Sequence, residues 1–106
     1  MKNNKKKSDI QEKKQAKLIG GKTHPFSGGL FDWQEDASSK NILMQCKRTD
    51  KKQIIIKLSD LKQLQNNAET SDKYPVFAIE IGDKNYYVID KDLFEMLLEK
   101  LEEENG

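Results

Sequence analysis

Residues 27–57 read SGGLFDWQEDASSKNILMQCKRTDKKQIIIK, and the run Ile42-Leu43-Met44-Gln45-Cys46-Lys47 within them decides how the chain folds. It is mostly apolar and predicts a strand. Alternate side chains of a strand share a face. Gln45 and Lys47 then point one way, with Leu43 behind them, while Ile42, Met44 and Cys46 point the other. A lysine two residues from a polar acceptor, at the end of an apolar strand, has a poor packing explanation. Solvated strand ends are nonetheless common, and the pair alone decides nothing. Asp36 adds weight, because it lies nine residues before Gln45 and just after a glycine-rich loop. A hairpin from Asp36 to Gln45 returns the chain beside itself, so Asp36, Gln45 and Lys47 are expected to converge.

The flanking sequence supplies the other elements. Ser8, with Gln11 three residues on, forms a capping box for a helix over Asp9–Ile19, stopped by Gly20-Gly21. Residues 1–8 are too polar to order themselves and read as a basic flexible arm. A glycine-rich loop covers residues 20–30. A turn at Asp50-Lys51-Lys52 leads to Ile54-Ile55-Ile56, a β-branched run expected to be a strand. Ser59 begins a helix with Leu61, Leu64 and Ala68 at helical spacing. Val76–Ile81 and Tyr86–Ile89 form a hairpin about Gly82-Asp83. Asp90 caps a last helix, with Leu93, Phe94, Leu97, Leu98 and Leu101 as its expected inner face. The order is α-β-β-β-α-β-β-α, an α/β fold with a mixed sheet flanked by helices, in one domain over residues 9–104.

Length and composition bound the rest. A chain of 106 residues is too short for two cores. Its 35% hydrophobic and 35% charged residues call for a small core under a solvated surface. No apolar stretch is long enough to span a membrane, and no apolar core follows the basic start as in a secretory signal. One cysteine excludes an internal disulfide and fits a reducing cytoplasm. One histidine and one cysteine do not make a structural zinc site. No Gly-x-Ser-x-Gly elbow supports a serine triad, and the SGG segment lacks the Gly-Lys-Ser/Thr of a phosphate-binding loop. The net charge of +1 hides a division. Residues 1–22 carry +6, residues 23–39 carry −3, residues 40–79 carry +4 and residues 80–106 carry −6. Solvated faces explain this as well as a polyanion-binding surface around a carboxylate cluster does.

An acidic residue, a short hairpin, then an acidic or amide residue, any residue, and lysine resembles the PD-(D/E)xK nuclease family. The preceding helix, the SGG loop, Arg48–Lys52, the Ile54–Ile56 run, the Ser59 helix and Pro75-Val76-Phe77 resemble its small Holliday-junction-resolvase-like members. The similarity spans roughly residues 9–90. It implies a restriction-endonuclease-like fold and an endodeoxyribonuclease dependent on Mg²⁺ or Mn²⁺, acting on branched or repair-intermediate DNA as a homodimer of phage or bacterial origin. Asp36, Gln45 and Lys47 match the catalytic positions. Asp36, Gln45 and the backbone carbonyl of Cys46 match the metal ligands, with Glu12 and Asp32 as further candidates. The family usually has Glu or Asp where this chain has Gln45; a Gln-x-Lys version resembles Mrr-like restriction nucleases. DNA contacts fall to Lys13, Lys17, Lys22, Ser27, Arg48, Thr49, Lys51 and Lys52.

Other residues divide between roles. Thr49, Lys51, Lys52 and Gln53 read equally as phosphate contacts and as an ordinary turn. Phe31 and Trp33 favour packing over a stacking platform. His24 reads as a loop residue, Cys46 as a small core residue, and one of Tyr86 and Tyr87 as exposed. A second reading, favoured by the uncharged Gln45 and the acidic last helix, is a binding module on the same fold, taking branched DNA or a host protein. RNA is a third substrate class. The acidic last helix is expected on the side away from Lys47.

Overall fold

The computed structural model describes residues 2–24 and 36–105. Element order is α1 (Lys2–Leu18), β1 (Lys22–Thr23), β2 (Ala37–Ser38), β3 (Ile42–Thr49), α2 (Leu58–Thr70), β4 (Tyr74–Ile81), β5 (Lys84–Ile89) and α3 (Lys91–Asn105). The five strands form one mixed sheet in the order β1-β2-β3-β4-β5. β3 and β4 run parallel, with Gln45 beside Phe77 and Lys47 beside Ile79, and the other neighbours are antiparallel. A parallel pair needs a crossover, and α2 provides it. Among the described residues no helix is long and apolar enough to cross a membrane.

The alternation in β3 sorts the core into two layers. Met44 joins Ala16, Ala37, Val76, Ala78 and Leu93 on the face covered by α1 and α3. Leu43 joins Leu64, Ala68, Phe77 and Ile79 on the face covered by α2. α2 presents Leu64 and Ala68 to that layer, with Leu61 at its margin, as the spacing predicts. The β4–β5 hairpin turns through Gly82 and Asp83, both at positive φ, which matches the twist of an antiparallel pair. Asp90 caps α3, accepting from the Leu93 N–H at 2.9 Å. Gly21 is required where α1 meets β2, because a Cβ there would lie 1.8 Å from the Ser38 carbonyl oxygen.

Three expectations are corrected. Helix α1 starts at Lys2, not Asp9, so the basic segment expected as a flexible arm is helical. Consecutive Lys residues are good helix formers, and Lys7 reaches Asp50 at 3.3 Å, which ties the early helix to the end of β3. Ile54–Ile56 is not a strand; the third strand before α2 is the short Lys22–Thr23. Ile54 and Ile56 pack against the Leu43 layer while Ile55 is 68% exposed. The run has strand-like alternation, pairs with no strand among the described residues, and serves as the extended link from β3 to α2. The inner face of α3 is narrower than expected. Leu93 is buried and Met96 packs beside it, but Phe94, Leu97, Leu98 and Leu101 are exposed.

Candidate functional site

Among the described residues, β2 is two residues long and covers β3 at Leu43 and Met44 and no further. Beyond Met44 that edge of β3 passes to a side chain. Asp36 donates its N–H to the Met44 carbonyl at 3.0 Å, although Met44 is already in register with Ala37. Two residues thus face one, as in a bulge, and the chain bends away. The Asp36 carboxylate then accepts the Cys46 N–H at 2.8 Å, standing in for the missing main-chain partner. The His24 N–H donates to the Asp36 carbonyl at 2.9 Å, and the His24 ring sits 2.8 Å from the Ser38 hydroxyl. Asp36 is therefore positioned by backbone on both sides.

Helix α1 brings Glu12 to the same place. Buried Gln11 fixes the helix against β3 by donating from its side-chain amide to the Lys47 carbonyl at 3.0 Å. Burial, the charge of Asp36 and the charge of Asp9 push the Glu12 carboxyl up to about 7. Burial, Asp36 and Glu12 also push the Cys46 thiol up, which leaves it an inert small packing residue at neutral pH. Asp36 and Glu12 thus form a carboxylate pair whose mutual repulsion a cation would relieve. Among the described residues no three His, Cys, Asp or Glu side chains gather as a metal-holding group. Among the described residues this edge offers the two carboxylates beside the Cys46 main chain, and the Gln45 amide lies on the opposite face of β3. Carboxylate oxygens are hard donors of the kind Mg²⁺ and Mn²⁺ take.

Gln45 and Lys47 lie on the other face. With Cys46, Asp60, Gln63, Leu64 and Phe77 they line a cleft of about 340 Å³ between β3 and α2. The Lys47 ammonium donates to the Ile55 carbonyl on the link to α2. The candidate residues therefore divide. Glu12 and the Cys46 side chain belong to the α1 side, Gln45 and Lys47 to the α2 side, and Asp36 stands at the edge between them. Asp60 and Gln63 escape a reading of the sequence. Their signal is one of position: they flank Leu64 on the first two turns of an amphipathic helix, and Asp60 is the acidic residue of its first turn.

The basic residues differ in availability. Lys13, Lys17, Lys22, Lys51 and Lys52 are exposed. Arg48 is not: its side chain is one-tenth exposed and pairs with Asp50 at 2.6 Å and Glu80 at 3.2 Å. The hydrogen bond that Arg48 donates to Asp50 leads in raising its already high pKa, so Arg48 is a charge committed within the chain rather than a free phosphate contact. Thr49 is likewise engaged, its hydroxyl accepting the Lys51 N–H at 3.1 Å. Ser27 and Asp32 lie outside the described residues, as do Phe31 and Trp33. The acidic α3 packs on the Met44 layer, across the sheet from Lys47. No protein-family model, curated protein or solved structure matches the chain.

Proposed function

We propose that this protein is a divalent-metal-dependent endodeoxyribonuclease with a restriction-endonuclease-like fold, acting on branched or double-stranded DNA as a homodimer in a bacterial cytoplasm. The observation that carries the reading is the edge of β3, where Asp36 is held by the Cys46 N–H beside Glu12, on the strand that bears Gln45 and Lys47. The element order up to β4, with β3 and β4 parallel, supports it. Asp36 and Glu12, with the Cys46 carbonyl, are the residues to hold Mg²⁺ or Mn²⁺, while Gln45 faces the cleft beside α2. When bound, such a cation polarises a phosphate and lowers the pKa of an attached water.

The protein's own groups do the rest. Lys47 offers a fixed ammonium at the mouth of the cleft, where it offsets negative charge developing on a phosphate. Gln11 and Arg48 are positioning residues: one docks α1 and Glu12 on β3, the other holds the end of β3 through Glu80. Lys13, Lys17 and Lys22 on one side of the edge, with Lys51 and Lys52 beyond β3, supply the sequence-independent attraction to phosphates that weakens with salt.

A second reading rests on Gln45, which brings no charge to a cation, and on the two carboxylates that the described residues gather at the edge. It is a module on the same fold that binds branched DNA or a host protein without efficient cleavage. The deciding experiment incubates four-way junction, supercoiled and single-stranded DNA with Mg²⁺ or Mn²⁺ and the wild type, Asp36→Asn or Lys47→Ala. Cleavage by the wild type, and its loss in both variants, is the expected result. A wild type that binds junctions and cuts nothing under either metal leaves the module. Full activity in either variant removes that residue from the site.

A further inference from the structure

Among the described residues, helix α3 is docked on the core by its first half. Leu93 is buried, Met96 packs in the same layer, and the Tyr74 hydroxyl donates to the Met96 sulfur at 3.2 Å. From Leu97 to Glu104 every residue is exposed. Phe94, Leu97 and Leu98 lie at i, i+3 and i+4, so they share one stripe, at 56%, 47% and 42% exposure. Large apolar side chains grouped in this way mark an interaction surface rather than a solvated helix face. We infer that this stripe is the contact with a second copy of the chain, α3 packing antiparallel on α3 about a two-fold axis near Leu97 and Leu98.

Charge selects both the occupant's orientation and its identity. α3 begins at Lys91, whose side chain is 82% exposed and pairs with Glu95 of its own helix. It ends in Glu102, Glu103 and Glu104. A parallel pair would stack the three glutamates of one helix on those of the other. The antiparallel pair sets each Lys91 near the partner's glutamate run and separates the two runs. It also places Phe94 of each copy beyond Leu98 of the other, which closes the stripe over apolar surface. A two-fold contact of this kind is self-complementary and terminates at two copies. It lies on the α1/α3 face, leaving the cleft lined by Gln45 and Lys47 open. The inference draws on the proposed nuclease only for the second copy that reading requires; assembly and cleavage are measured separately, so each can fail alone.

Sedimentation equilibrium on the full chain tests it, with circular dichroism to monitor folding. The wild type is expected to be a dimer at micromolar concentration. Leu98→Glu, a change at an exposed position, is expected to keep the helical signal and sediment as a monomer. Lys91→Glu is expected to weaken the dimer by at least ~tenfold, and adding Glu102→Lys to restore it. A monomeric wild type overturns the inference and leaves the stripe to another partner. A dimer unchanged in Leu98→Glu, or a Lys91→Glu defect that Glu102→Lys does not repair, places the contact elsewhere or in another orientation.

Discussion

The two halves of β3 share one chain direction and one continuous ladder with β4, yet they behave differently. Leu43 and Met44 are 0% and 1% exposed, whereas every residue from Gln45 to Thr49 is partly open. The difference comes from the neighbour on the other side, because β2 ends its pairing at Met44. A central strand is stabilised by packing on both faces and pairing on both edges. Where β2 stops, the freed edge must be satisfied by something else, and here it is a carboxylate. Among the described residues, the candidate site thus stands where the pairing of β2 with β3 ends. A full-length β2 would have satisfied Cys46 by main chain and left Asp36 no edge to occupy.

The comparison breaks if the buried half does not dominate stability. Leu43→Ala is expected to cost about 2–5 kcal/mol in urea unfolding, as for other large-to-small changes in cores; a loss below ~1 kcal/mol would mean the first half is not the anchor. Asp36→Ala tests the other half. It orphans the Cys46 N–H and is expected to cost about 1–3 kcal/mol, less than Leu43→Ala. A larger loss from Asp36→Ala would reverse the order of the two halves.

Glu12 sharpens the picture through pH. Its carboxyl titrates at about 7 in the folded chain against an ordinary 4.5. Between those values the folded state holds a proton that the unfolded state has released, so this contribution to stability falls as pH rises from 4.5 to 7. Glu12→Gln is expected to remove that slope, seen as a smaller drop in melting temperature between pH 5 and pH 8. The smallest effect belongs to Lys7→Ala. Its pair with Asp50 is about half exposed on both sides, so the change in stability is expected within ~0.5 kcal/mol. A larger loss would show that early α1 holds the open half of β3 more firmly than an exposed ion pair does.

Much of this was legible from residue patterns. The strand at Ile42, the two-faced alternation of Leu43 and Met44, the helix with Leu64 and Ala68, the Gly82 hairpin and the Asp90 cap each follow from a local rule. The reading failed where the rule needed a neighbour. Ile54–Ile56 has the composition of a strand, but Ile54 and Ile56 are drawn into the Leu43 layer as the chain crosses to α2. The apolar residues of α3 have helical spacing, but spacing does not say how much of the stripe the sheet can cover. Arg48 looked like a phosphate contact because its partner Glu80 lies in a different strand, far along the chain.

The sequence by itself determined the alternation of β3, the residue types at its end, and the proximity of Asp36 to them through a short return. These are properties of covalent spacing and side-chain chemistry. Only the tertiary structure decided that Asp36 would stand at an open edge rather than in a ladder, that Glu12 would share its field, and that Lys47 and Gln45 would face α2. Those outcomes depend on where a neighbouring strand stops and which helix covers which face, and burial and charge repulsion act only once those surfaces have met.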